Sequence, residues 1–290
     1  IEVGLGGRLD ATNVSDRPLV SVITSVSLEH SQRLGSTLGE IAHEKAGVIK
    51  PDCPAVIGQL PAEAMAVVKA RAQSLNSPLI QPPIARRFKS PQSDQEWAIA
   101  EEISYPLGLN GSIQLLNSAL VISTILLLRE RDWKIPDAAI QSGMGQIQWP
   151  GRLQWIIYED KKLLIDGAHN PAAAQVLRDY VDRLKVPSIH WMMGMLATKD
   201  HRKVFEKLLR PGDRLSLVPV ADHSSAQVQK LRAIAKDVCP QLSQVETFES
   251  LEQILALIPN LDHDGLNVLC GSLYLLGDFL AQLPSNEAAP

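Results

Sequence analysis

From residue 163 onward the chain alternates short apolar, β-branched runs with segments of helical spacing, and no other feature constrains its fold as tightly. Helix-like residues 172–184, 201–209, 226–238, 251–257 and 273–283 take turns with strand-like residues 189–193, 215–218, 245–248 and 266–270. Parallel strands need a crossover between them, and a crossover helix buries its apolar stripe on the sheet. The alternation therefore predicts a mostly parallel sheet covered by helices. The same pattern runs through the first part of the chain: strand-like 19–24, helical 38–46, strand-like 55–57, helical 61–74. A polar stretch over 86–95 interrupts it, and strand-like pieces at 97–99 and 103–105 read as a peripheral hairpin. Residues 112–131 predict a long helix, since Ile113, Leu116, Leu120, Ile122 and Leu127 recur at helical intervals without glycine or proline. Pro136 opens a shorter one.

Trp149, Pro150 and Gly151 break helical character within 148–152, which places the linker there. Just beyond it, 154–158 and 162–165 flank the polar turn Glu159, Asp160, Lys161 and read as a hairpin. The expectation is an α/β protein with one domain over 1–148 and a smaller Rossmann-like domain over 149–290, its last residues 284–290 frayed. A length of 290 residues, 45% of them apolar and 21% charged, suits two such domains. Net charge is −4 with Lys and Arg scattered, which leaves no electrostatic footprint for nucleic acid or an anionic membrane and favours small-molecule partners. The longest apolar run, 119–128, contains Ser123 and Thr124 and is too short to span a bilayer, and residue 1 onward shows no signal pattern. Cys53, Cys239 and Cys270 are too few and too far apart for a disulfide framework, so a reducing cytoplasm is expected.

Three segments carry candidate chemistry. The first, IEVGLGGRLDATN, joins Gly4, Gly6 and Gly7 to the charges of Glu2, Arg8 and Asp10, a composition that suits a small charged ligand or a tight loop. It is not a dinucleotide fingerprint, because Leu9 stands where the third glycine belongs. In the second, Thr37 and Glu40 make a capping box for the helix that carries Lys45 on its apolar stripe, with His43 on the polar face. An ammonium group so placed snorkels outward, loses its charge, pairs with an acid or is converted, for instance to an anionic carbamate. His30 follows strand 19–24 by a short loop and Glu2 follows a presumed earlier strand, so one sheet edge would present a carboxylate and an imidazole, a set suited to magnesium held mainly by phosphate and water. His30 taken singly also reads as a helix-terminal histidine. The third segment, LLIDGAHNPAAA, ends a strand at Asp166, passes Gly167 and Ala168, and starts a helix with Asn170 as cap and Pro171 in its first turn. Asp166 and His169 thus lie at the carboxyl edge of the sheet, either to meet a nucleotide or to tidy the turn. His190, His201, His223 and His263 show no partner pattern, and no G-x-S-x-G, H-E-x-x-H or paired-cysteine motif occurs.

EVGLGGRLDATN, SVITSVSLEHSQRLGSTLGEIAHEKAGVIKP, WPGRLQ, LLIDGAHNPAAA and GSLYLLGDFLA, in this order from residue 1 almost to the end, resemble the folylpolyglutamate synthases and dihydrofolate synthases of the Mur ligase superfamily. The resemblance implies an ATP-binding α/β domain joined to a smaller Rossmann-like domain, with the active site in the cleft between them. It implies ATP-dependent phosphorylation of a folate or dihydropteroate carboxylate, and attack of L-glutamate on the acyl phosphate. It further implies Glu2 and His30 as magnesium ligands and Lys45 as a carbamylated lysine near the metal and γ-phosphate. Leu9, Asp10 and Ala11 would line the pterin side, Asn117, Arg152 and Asp166 would contact ATP, and His169 would stand near the reacting phosphate or the glutamate. The family is typically monomeric. Three departures appear: Ile113 where histidine is frequent, Glu29 where aspartate is usual, and no G-x-x-x-x-G-K-[ST] phosphate loop anywhere in the 290 residues. The last predicts a fragment of a ligase with almost no activity alone. Another Mur-type amino-acid ligase and a non-catalytic nucleotide-binding or interaction protein are the competing readings. A dehydrogenase is disfavoured, because no glycine fingerprint follows any strand of the second domain.

Overall fold

The computed structural model describes residues 1–89, 95–258 and 265–283. The 284–290 tail and His263 lie outside the described residues, as does part of the 86–95 stretch. The chain divides into two compact units, one formed by residues 1–108 and 112–147, the other by 109–111 and 148–290.

In the first unit, residues 1–20 form turns and loops with no strand among them. Strands β1 (Ser21–Ile23), β2 (Ala55–Ile57) and β3 (Leu79–Ile80) make a parallel sheet in the order β1-β2-β3. The short helix α1 (Ser31–Leu34) and helix α2 (Leu38–Ala46) connect β1 to β2, and α3 (Ala62–Ser74) connects β2 to β3. Their small and branched residues form one core: Ile23 and Ile57 from the sheet meet Ile41, Ala42 and Ala46 of α2 and Ala64, Val68 and Ala72 of α3. Alanine on the facing stripes lets the helices approach closely while they retain high helix propensity.

A second, antiparallel sheet joins β4 (Arg86–Lys89), β5 (Glu96–Ala100) and β6 (Ile103–Pro106), and packs on α4 (Ile113–Arg129) and α5 (Asp137–Gly145). The expected hairpin is its β5–β6 pair. Strand β4 was hidden from the sequence pattern because all four of its residues, Arg86, Arg87, Phe88 and Lys89, are exposed on an edge and show no apolar alternation.

The second unit is one six-stranded sheet: β7 (Gln154–Tyr158), β8 (Lys161–Asp166), β9 (Ile189–Met193), β10 (Arg214–Leu217), β11 (Gln244–Thr247) and β12 (Leu266–Cys270). The order is β11-β10-β9-β12-β8-β7, parallel throughout except for the β7–β8 hairpin. Helices α6 (Pro171–Arg183), α7 (His201–Leu208) and α8 (Val228–Val238) cover one face, while α9 (Leu251–Leu255) and α10 (Leu273–Gln282) cover the other. Successive strand residues feed the two layers in turn: Leu164, Trp191 and Met193 enter the first core, and Leu163, Ile165 and Met192 the second. A sheet buried on both faces explains why these strands read as continuous apolar runs.

Candidate functional site

Within the first unit the glycine-rich loop lies across the carboxyl end of α2. The Arg8 backbone N–H donates to the Glu44 carbonyl at 2.8 Å, and its guanidinium pairs with the Glu44 carboxylate at 2.9 Å. A Cβ built on Gly7 would lie 2.7 Å from Val48 Cγ1 and 3.2 Å from the Lys45 carbonyl oxygen, and one built on Gly47 would lie 2.4 Å from Arg8 Cα. These glycines are therefore required by the close approach of two backbones as well as by the positive φ of Gly7. Asn13 ties the same junction, donating from Nδ2 to the carbonyls of Arg8 and Gly47.

Asp10 organises the loop from within. One carboxylate oxygen accepts from the Leu5 N–H at 2.9 Å, and the other accepts from the Thr12 N–H at 2.9 Å and the Thr12 hydroxyl at 2.6 Å. These bonds, led by the Thr12 hydroxyl, lower its pKa to about 2. Two of the three charges that made the loop read as a ligand site are thus engaged inside the protein, Arg8 by Glu44 and Asp10 by its own turn. Leu9 is 79% exposed on the same loop and Ala11 is exposed beside it. Glu44, thirty-six residues from Arg8, was missed in the sequence reading; its place in EKAG was the only available signal.

Helix α2 begins as expected. The Thr37 hydroxyl accepts from the Glu40 N–H at 3.1 Å, and the Glu40 carboxylate accepts from the N–H groups of Ser36 and Thr37 at 2.7 and 3.1 Å, which lowers the Glu40 pKa. One turn beyond Ile41 on this helix, Lys45 is half-buried, and its ammonium has no hydrogen-bond or ion-pair partner among the described residues. His43 is exposed. His30 is exposed in a left-handed conformation, φ +52°, ahead of α1, where its carbonyl accepts from the Arg33 and Leu34 N–H groups. A non-glycine residue held there is a strained position of the kind found at functional sites. The side chains of Glu2 and His30 have no partner among the described residues, and no set of three or more His, Cys, Asp or Glu groups arranged for a metal occurs there. Two side-chain donors leave the remaining positions of a magnesium octahedron to phosphate and water, which suits this hard ion. Asn117, in the second turn of α4, is half-buried and donates to the Gln114 side chain at 3.2 Å.

In the second unit Arg152, Asp166 and His169 come together at the carboxyl end of β8. Asp166 is 8% exposed, and each of its oxygens accepts a backbone N–H at 2.9 Å, one from Leu153 and one from Ala168. The Gly167 N–H donates to the Gly151 carbonyl at 2.8 Å, so two bonds stitch the WPGRL and DGAHN segments together, and the bond from Ala168 closes the turn within DGAHN. Burial raises the Asp166 pKa against the pull of those N–H groups and of the Arg152 charge. A Cβ built on Gly167 would lie 2.3 Å from Leu273 Cδ2 and 3.5 Å from an Arg152 guanidinium nitrogen. Glycine there lets Arg152 and α10 close over the loop. His169 donates from Nδ1 to the Gly167 carbonyl at 2.8 Å, which in the neutral ring leaves Nε2 as the acceptor. Asn170 caps α6, accepting from the Ala173 N–H at 2.8 Å, with Pro171 in the first turn as expected.

Three of the histidines that show no partner pattern in the sequence have partners in space. His190 Nε2 lies 2.7 Å from Ser216 Oγ inside the sheet, His201 Nε2 lies 2.9 Å from the Leu196 carbonyl, and the His223 ring stacks on Tyr274. Their partners come from other strands and loops, which spacing along the chain does not reveal. No helix among the described residues is long and apolar enough to cross a membrane.

A β8–loop–α6 edge built around a stapled aspartate, with arginine and histidine beside it, defines the class: residues 152–282 match the model of the C-terminal domain of dihydrofolate synthetase. The probable dihydrofolate synthetase of Schizosaccharomyces pombe is 32% identical over 98% of the chain and 70% of its own length. The folylpolyglutamate synthase of Lacticaseibacillus casei is 33% identical over 95% of the chain and 64% of its own length. A crystal structure of Mycobacterium tuberculosis folylpolyglutamate synthase complexed with ADP and AMPPCP superposes with a TM-score of 0.83 at 25% identity, covering 97% of this chain and 67% of that one. The chain belongs to the folylpolyglutamate synthase and dihydrofolate synthase family, and it spans between 64% and 70% of the length of the two sequence relatives described.

Proposed function

We propose that this chain is the portion of an ATP-dependent ligase that joins L-glutamate to dihydropteroate, to tetrahydrofolate, or to both, through an acyl phosphate. The observation that carries the reading is the Arg152, Asp166 and His169 cluster at the carboxyl edge of the second unit. The guanidinium of Arg152 offsets phosphate charge as the γ-phosphoryl group moves to the substrate carboxylate. Asp166, with both oxygens engaged by the backbone, orients that guanidinium and contributes its field. His169 Nε2 stands as an acceptor for the proton released when the glutamate amine attacks.

In the first unit, Glu2 and His30 are the proposed magnesium ligands, and the metal, when bound, supplies Lewis-acid charge at the phosphates. Lys45, half-buried and without a counter-charge among the described residues, is proposed to react with carbon dioxide, giving a carbamate and releasing a proton. Leu9, Asp10 and Ala11 present the pterin side, with Asp10 acting by holding the turn, and Asn117 meets the nucleotide. The functional domains are taken as 1–148 and 149–290, in a monomeric cytoplasmic enzyme. The 290 residues hold no lysine-bearing phosphate loop, so this chain alone is proposed to have almost no turnover.

The test is a chimaera with the phosphate-loop region of the Lacticaseibacillus casei relative joined ahead of Ile1. With ATP and magnesium it should add glutamate to dihydropteroate or tetrahydrofolate, and the unfused chain should not. A folded chimaera that ligates only UDP-linked precursors, or that binds nucleotide and ligates nothing, would overturn the reading.

A further inference from the structure

The sheet of the second unit carries another unassigned feature at the same edge. Strands β9 and β12 are neighbours, yet the chain leaves them toward opposite faces: Val204 and Phe205 of α7 lie in one core, and Leu275, Leu276 and Phe279 of α10 in the other. Such a reversal opens a crevice at the carboxyl ends of the two strands, where open α/β sheets take their ligands. The backbones converge there, since a Cβ on Gly271 would lie 2.6 Å from the Gly194 carbonyl oxygen.

Two rings from the segments flanking β9 meet at this edge. His223, on the loop after β10, stacks on Tyr274, in the first turn of α10, with ring centroids 3.7 Å apart and planes tilted by 32°. The loop that carries His223 is held firmly. The Ser225 N–H donates to the His223 carbonyl at 2.7 Å, the Val220 N–H to Ser225 Oγ at 2.9 Å, and the Ala197 N–H to the Ser224 carbonyl at 2.8 Å. Asp222 adopts φ +54°, a strained conformation for a non-glycine residue. Both rings are nevertheless exposed, Tyr274 to 49%. An aromatic pair that serves packing buries its area; this one is fixed in place and left open, presenting imidazole and phenol donors.

We propose that His223 and Tyr274 form a recognition pair for a carboxylate of the incoming amino acid, selecting an acidic acceptor over a neutral one. They stand on the β9 side of β12, whereas Arg152 and His169 stand on its β8 side. Phosphate chemistry and acceptor recognition thus occupy the two flanks of the same strand. The proposal rests on the ligase reading and names its specificity determinants.

It is tested by NMR on the intact 290-residue chain, following the His223 and Tyr274 ring signals, assigned with His223→Asn and Tyr274→Phe, as L-glutamate, L-glutamine or glycine is added. L-glutamate should move both rings saturably, the neutral amino acids should bind at least about tenfold more weakly, and each variant should lose about tenfold in glutamate affinity. Glutamate binding that leaves His223 unmoved, equal affinity for glutamine, or no binding at all would overturn the proposal. Ring shifts with magnesium ADP in place of glutamate would overturn it too, assigning the shelf to a nucleobase. The broader reading is judged separately by the chimaera's ligation of folate substrates.

Discussion

Asp166 shows at residue scale how a candidate site group also holds its own loop in place. Its two oxygens satisfy the Leu153 and Ala168 N–H groups, and deleting them orphans two buried donors at about 1–3 kcal/mol each. Asp166→Ala should lower the stability of the second unit by about 2–4 kcal/mol in urea unfolding, and Asp166→Asn, which keeps one acceptor oxygen, by less. Equal, negligible losses in both would show that the stitch contributes nothing. Arg8 and Asp10 teach the same lesson in the first unit. Their charges were legible in the sequence, but the partners that engage them were not, because Glu44 is distant along the chain and the Leu5–Thr12 turn closes only when glycine lets it. Local chemistry was readable wherever the partner lay within one turn, as for the Thr37–Glu40 box and the Asn170 cap.

At the scale of elements, periodicity located α2, β2 and the strands of the second unit because each buries a regular stripe or a continuous run. It gave no sign of β4, whose stability comes from pairing with β5 rather than from burial. Strand order was equally silent. That β12 inserts between β9 and β8, and so creates the edge at which Arg152, His169 and the His223–Tyr274 pair gather, is decided by helix packing on the two faces and not by any local pattern. The α2 cap is the element whose worth is easiest to isolate. Thr37→Ala removes the acceptor for the Glu40 N–H and should cost the first unit about 1 kcal/mol in denaturant unfolding, with Thr37→Ser restoring it. No loss in Thr37→Ala would place the helix start under other control.

Across the whole molecule the buried titrating groups set opposite pH trends. Burial, reinforced by the Arg214 charge, lowers the His190 pKa from 6.5 to about 4. The folded state therefore resists a proton that the unfolded chain accepts, so the stability His190 contributes is present above pH 6.5 and is lost as pH falls toward 4. Asp166 and Asp213, raised by burial, act in reverse: their contribution is complete below the ordinary carboxylate range and is lost as pH rises through their elevated values. His190→Asn should flatten the fall in stability between pH 6.5 and 4 by on the order of 3 kcal/mol. An unchanged slope would mean that His190 takes up its proton in the folded state.

The central step proposed for this family member, whose second unit carries Arg152 and His169, is the formation of an acyl phosphate. The most direct measurement uses the phosphate-loop chimaera with dihydropteroate labelled with oxygen-18 in its carboxylate, and follows the label through ATP-dependent ligation of glutamate. Transfer of one labelled oxygen to each inorganic phosphate released is the predicted result. Ligation with unlabelled phosphate would contradict it.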